Sequence, residues 1–263
     1  MRVTVERNTK WIREEQAALP LVSVITSTFN AVGLLERCMA SVQAQDYPRI
    51  EHIIVDGAST DGTLDILKQN IAENVRWISE PDKGIYDAWN KGLSISRGEW
   101  IAFLGADDLY LPGAVKAYME LATQNPEAVY LSGQVRWIAA NGDPRTIGQP
   151  WRWPRFQKFM CTAHVGSMHR RSIFEQYGTY DTSYRMTADY ELLLRARSDL
   201  KSAFLPRLTA EMQGGGATDS VAALYEASRA KIETGRRHRW QVTLDGCIAR
   251  LKFFGRHAFS HGR

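Results

Sequence analysis

The sequence predicts an α/β fold with a mainly parallel central sheet and helices on both faces. Three observations carry that expectation. Short β-branched runs alternate with segments whose apolar residues recur at helical spacing. The turns between them are short, as repeated β-α units require. Finally, Asn30, Asp56, Asp82 and Asp108 lie 26 residues apart, each at or just after the end of a strand. The flanking residues differ, so this is not a sequence repeat; it reports units of similar length, each ending its strand on a polar residue.

The elements follow in order. Leu21–Thr28 (LVSVITST) is β-rich, and Leu34, Leu35, Cys38, Met39 and Val42 then fall on one helical face. Glu51–Val55 is the second strand; Ser59, Thr60 and Asp61 supply capping side chains before a helix around Leu64–Ile71. Asn74–Ser79 is a third strand, with a helix from Gly84 to Ser96. Glu99–Leu104 is a fourth, with a helix from Pro112 to Thr123, and Ala128–Val135 is a fifth. Ser202–Leu205 is the last strand expected.

At 263 residues, 44% hydrophobic and 24% charged, the chain is globular in composition and long enough to bury a full core. That excludes disordered and collagen-like classes. Cys38, Cys161 and Cys247 are far apart and form no CxxC pair, which excludes a cysteine zinc site and a disulfide scaffold and favours a reducing compartment. The uncharged stretch from Gln16 to Leu35 reads as a strand and a helix start because Pro20 and several hydroxyl residues interrupt it. With no apolar leader at the start, the expected location is cytoplasmic.

Charge is unevenly placed. From Arg229 onward there are nine basic and two acidic residues, against +4 for the whole chain, so the body is −3 and the tail +7. Trp240, Ile248, Leu251, Phe253, Phe254 and Phe259 interleave with the basic residues. Two readings stand: a peripheral contact with an anionic membrane face, or a terminal helix with a solvated basic side. The body carries no nucleic-acid reader motif, so nucleic acid is not an expected partner.

Open α/β sheets bind ligands at the carboxyl ends of their strands, and the acidic residues here gather at those ends. Asp107 and Asp108 leave a buried strand together. Two like charges about 4 Å apart repel by about 4 kcal/mol at an effective dielectric near 20. A divalent cation, Mg²⁺ or Mn²⁺, relieves that repulsion when a phosphate-bearing substrate fills its remaining positions. The alternative is a carboxylate pair capping the next helix. Asp56 ends an apolar strand, where a carboxylate can accept hydrogen bonds from a base or ribose.

The segments LVSVITSTFN, VDGASTDGT, SEPDKGIYDAWNKGLSISRGEWIAFLGADD and TADYELLLR together resemble family-2 glycosyltransferases of the A-type glycosyltransferase fold, over about Leu21 to Arg195. Among them, the small bacterial enzymes that extend surface polysaccharides on lipid carriers are the nearest in pattern. The resemblance implies transfer of one sugar, with inversion, from a nucleotide-diphosphate sugar to a hydroxyl of a saccharide or lipid-linked saccharide. It implies nucleotide contacts at Thr26, Thr28 and Asn30, and a nucleobase contact at Asp56. It also implies a metal ligand at Asp108, a ribose or sugar contact at Asp107 and a catalytic base at Asp189. Asp87 and Asn90 fall on the family's donor-side helix, as donor contacts or as caps. Asp107 and Asp108 stand as the family's variant of its aspartate metal motif.

Departures from the pattern are local. Ser27 stands where proline is common, Ala58 where glycine or serine is usual, and Ala188 where a glutamate often precedes the base. Gln134-Val135-Arg136-Trp137 lacks the spacing of the processive QxxRW signature, so single transfer is expected. The boundaries expected are 1–20 as an extension, 21–212 as the catalytic domain and 213–263 as a glycine loop and basic tail, with the domain's nucleotide-sugar half (21–135) preceding its acceptor half (136–212). Trp151 and Trp153 stack on an acceptor or simply pack, and His164 faces the acceptor or sits in the core. Gly214–Gly216 form a lid or a linker. A nicotinamide dehydrogenase and a sugar nucleotidyltransferase each require a glycine-rich loop after the first strand, which Thr28–Gly33 lacks. A non-catalytic carbohydrate binder has no need of a base.

Overall fold

The computed structural model describes residues 18–70, 72–139, 141–214 and 220–248. Four β-α units open the chain. They comprise β1 (Val22–Thr28), α1 (Leu35–Gln43), β2 (Ile50–Asp56), α2 (Thr63–Gln69), β3 (Val75–Ser79), α3 (Ile85–Ile95), β4 (Trp100–Gly105), a two-residue β5 (Leu109–Tyr110) and α4 (Ala114–Gln124). The second half contains β6 (Tyr130–Ile138), β7 (Pro144–Ile147), α5 (Trp153–Phe156), β8 (Ser167–Arg170), α6 (Arg171–Tyr177), α7 (Ala188–Ala196), β9 (Ser202–Gln213) and α8 (Val221–Glu233).

All described strands join one sheet in the order β3-β2-β1-β4-β8-β6-β9-β5, with β7 on β6. β3, β2, β1 and β4 are parallel, as expected. β8 then inserts antiparallel between β4 and β6, and β9 runs parallel to β6. The fold is therefore mixed α/β, and the parallel run of β1 to β4 lies within residues 21–135, where the nucleotide-sugar half is expected. β8 escaped the sequence reading because its four residues, SMHR, are too short to alternate visibly. β9 is three times the expected length. Pro206 and Arg207 lack partners on β6, where Leu205 faces Gly133 and Leu208 faces Gln134. Such a bulge accommodates a proline, which has no N–H to give the ladder.

Alternation along β1 supplies both faces of the core. Val22 and Val24 pack with Cys38, Val42 and Tyr118 on the α1/α4 side, while Ile25 packs with Trp89 and Leu93 on the α3 side. Helix α3 lies so close that a Cβ on Gly92 would come within 2.4 Å of Ile25 Cγ2. At the opposite end from the carboxyl edge, buried Glu51 accepts from Ser23 Oγ at 2.5 Å and pairs with Arg76 at 2.5 Å, fixing the register of the first three strands. The expected boundaries at 135 and 212 fall inside β6 and β9. Residues 1–17 of the expected extension, Ile71, most of the glycine loop and the tail from 249 lie outside the described residues.

Candidate active site

At the carboxyl edge of β4 the chain turns sharply. Asp108 is buried; its Oδ2 accepts from the Gly105 amide at 3.1 Å and its Oδ1 from the Gln213 amide at 3.2 Å. Asp107 is exposed. The two carboxylates converge above Gly105, where a Cβ would meet Asp107 Oδ1 at 2.7 Å and Asp108 Oδ2 at 2.8 Å. Burial, and then the charge of Asp107, push the Asp108 carboxyl up to about 7. Among the described residues no third His, Cys, Asp or Glu completes a cluster. Two crowded carboxylates with open positions suit a small hard cation whose other ligands come from substrate.

Asp189 stands in the first turn of α7. Its Oδ1 accepts a hydrogen bond from Tyr86 Oη at 2.9 Å, across 103 residues of chain. Burial raises its carboxyl to about 6 against the opposing effect of that hydroxyl. Asp107, Asp108 and Asp189 all line one cavity of about 780 Å³. His164 lines it too; its Nε2 lies 3.2 Å from Tyr180 Oη, and burial pushes it down to about 3, so the ring is neutral. Cations occupy the same walls: Lys83 and Arg185 near the opening, and buried Lys231 on α8.

The remaining candidates sit elsewhere along the edge. Asp56 is fully buried and accepts from Ser59 Oγ, from the Ser59 amide at 2.9 Å and from Ser79 Oγ at 2.7 Å. A carboxylate offers about four acceptor positions, so one stays open. A Cβ on Gly57 would meet Asp82 Oδ2 at 2.7 Å and Phe29 at 3.3 Å, so a side chain there would push the Asp82 carboxylate aside. Asn30 binds the Thr60 amide through Oδ1 at 2.9 Å, and its own amide donates to Ser59 Oγ at 2.7 Å. Thr28 Oγ1 is buried with no partner among the described residues.

Three side chains are taken up by the fold. Thr26 Oγ1 contacts His52 Nε2 at 2.9 Å, inside the core. Asp87 accepts from the Lys83 amide at 3.0 Å, closing the start of α3. Asn90 clasps the Tyr180 peptide from both sides, donating to its carbonyl at 2.8 Å and accepting from its amide at 3.0 Å. None of the three lines the cavity. Trp151 and Trp153 also stay outside it; Trp151 packs on Phe156 with ring centres 3.9 Å apart.

The sequence reading did not single out Tyr86, Gln213 or Lys231. Tyr86 lies within the KGIYDAWN segment, but its partner is remote in sequence. Gln213 is reached only because β9 continues past Pro206, a signal available in the alternating LTAEMQ run.

Comparison with known proteins follows the same lines. The model of the family "Glycosyl transferase family 2" matches residues 23–178. The chain belongs to glycosyltransferase family 2. This glycosyltransferase is 31% identical over 193 residues to a "PGL/p-HBAD biosynthesis glycosyltransferase" of Mycobacterium tuberculosis, covering 69% of this chain and 72% of the relative. Solved structures share its A-type glycosyltransferase fold at low identity. Staphylococcus aureus TarS 1-349 in complex with UDP-GlcNAc superposes with a TM-score of 0.69 at 18% identity, over 90% of this chain and 72% of that one. Against the longer TarS chain the coverage falls to 43% of its length. The mannosyltransferase PcManGT of Pyrobaculum calidifontis, in complex with GDP-Man and Mn²⁺, gives 0.61 at 19% identity, over 83% of this chain and 64% of that one. Among the described residues of this family-2 glycosyltransferase, no helix is long and apolar enough to cross a membrane.

Proposed function

We propose that this family-2 enzyme transfers one sugar, with inversion, from a nucleotide-diphosphate sugar to a hydroxyl of a lipid-linked saccharide in surface polysaccharide synthesis. The observation that carries the reading is Asp189, held by Tyr86 at 2.9 Å in the same cavity as Asp107 and Asp108. A carboxylate raised to about 6 is mostly ionised at neutral pH yet basic enough to take a proton from an attacking hydroxyl. One displacement with no enzyme nucleophile inverts the anomeric carbon.

Asp107 and Asp108 would hold Mg²⁺ or Mn²⁺, which when bound supplies Lewis-acid stabilisation of the diphosphate leaving group. The Gly105 and Gln213 amides fix the Asp108 carboxylate in place, and Asp107, exposed, is free to meet ribose or sugar. Asp56, with one acceptor position open beside the orphaned Thr28 hydroxyl and the exposed ring of Phe29, suits a nucleobase. Neighbours of the same fold bind UDP-GlcNAc and GDP-Man with Mn²⁺, which supports a nucleotide-sugar donor and a divalent ion here. Trp240, Leu244 and Ile248 recur every four residues along the helical stretch 239–248 and are exposed. With the basic residues around them they favour contact with the anionic inner face of the plasma membrane, from the cytoplasmic side.

The test is Asp189→Asn, assayed with a panel of UDP-, GDP- and dTDP-sugars, Mn²⁺ and octyl glycosides as acceptors. Loss of a general base lowers transfer by roughly 10² to 10⁴, while Mn²⁺-dependent thermal stabilisation by the matching nucleoside diphosphate stays intact. Retention of more than about a tenth of the rate defeats the assignment of the base.

A further inference from the structure

We infer that the α8 wall of the cavity is a subsite for an anionic group carried on an apolar acceptor, with Lys231 as its anchor. The inference rests on the transferase reading for its biological sense, but its physical basis is separate. Lys231 is 4% exposed, lines the cavity, and holds its Nζ 5.2 Å from the centre of the Phe159 ring. Among the described residues no carboxylate lies within 4.0 Å of it. Its charged neighbours are Asp245 and Arg237. Arg237 already grips Asp245 twice, Nε to Oδ2 at 2.7 Å and Nη2 to Oδ1 at 3.2 Å. Two basic side chains therefore share one carboxylate, which leaves one formal positive charge over, and burial works against the charge on Lys231.

A charge without a partner is costly to bury, and a folded chain tolerates it where a ligand supplies the counter-ion. The surroundings specify that ligand further. Phe159, Met160, Leu224 and Ala227 form the wall beside Lys231. Asp107, Asp108 and Asp189 line the same cavity, but none of them forms an ion pair with Lys231 among the described residues. The fitting molecule thus carries anionic oxygens, as phosphate or carboxylate, next to a hydrocarbon or aryl body.

The experiment is equilibrium binding by calorimetry to the full chain, without donor or metal, of three probes below their micelle concentrations: octyl phosphate, octanoate and octyl glucoside. Wild type is expected to bind at least one anionic probe about tenfold or more tightly than the neutral one. Lys231→Met should bring the three to parity and leave octyl glucoside within about twofold, while Lys231→Arg keeps the preference. Which of the two anionic probes wins identifies the phosphate or the carboxylate. Equal affinity for all probes in wild type, or an unchanged preference in Lys231→Met with Lys231→Arg folded, overturns the subsite. Because no sugar is transferred in this measurement, an inactive chain with Lys231-dependent binding would refute the transferase reading alone.

Discussion

Removing one hydroxyl, in Tyr86→Phe, should move the pH dependence of transfer without disturbing the fold. Tyr86 is buried, its phenol is held well above its usual range by burial and by Asp189, and it donates to Asp189 Oδ1 at 2.9 Å. That bond favours the ionised carboxylate, so its loss raises the Asp189 pKa. A hydrogen bond to a charged group is worth about 1.5–3 kcal/mol. At about 1.4 kcal/mol per pH unit, the shift is roughly one to two units. As the proposed base, Asp189 works only when ionised, so an acid limb of kcat/KM expected near 6 in wild type should move to about 7–8. At pH 7 the active fraction falls from roughly nine-tenths to between a half and a tenth, and it recovers by pH 9. Rates of nucleoside diphosphate release across pH 5–9 read this directly. A limb that stays within about 0.2 units of wild type, or moves downward, would refute the linkage between the two residues.

Other side chains yield sharper separations of structure from chemistry. Asn90→Ala removes both bonds to the buried Tyr180 peptide and should cost about 2–3 kcal/mol in urea unfolding. Nucleotide affinity should remain within about twofold, whereas a tenfold loss of affinity with stability intact would favour Asn90 as a donor contact. Ala58 holds φ of 64°, a region that costs a residue with a Cβ about 1 kcal/mol. Ala58→Gly should therefore raise the unfolding free energy by roughly 0.5 kcal/mol after glycine's extra chain entropy is subtracted; a destabilised variant would contradict the strain.

Much of the architecture was legible because local and global signals agreed. β-branched runs such as VSVITST and IEHIIVD alternate with stretches of helical period, and their strands pair in parallel, as expected. The second half was harder for a physical reason. β8 is too short to show a pattern, and β9 hides its continuation behind Pro206, which sits in a bulge of β9 opposite β6. At the site, Asp107, Asp108 and Asp189 come from motifs and fall into one cavity. The partners that set their behaviour do not follow from spacing. Tyr86 meets Asp189 through tertiary packing alone, and Lys231 is noticed only once Arg237 is seen to occupy Asp245. Side-chain type likewise could not tell that Thr26 would turn inward to His52.

Tyr86 and Asn90 stand one turn apart on α3, the first holding a carboxylate and the second a loop backbone. That single turn acts as a jig, bracing Tyr180 and Asp189 from 90 and 103 residues away along the chain. Neither side chain hydrogen-bonds to the Trp137–Ala163 span, so changes there that spare the buried Phe156 leave the jig in place. The jig itself leaves little latitude for drift.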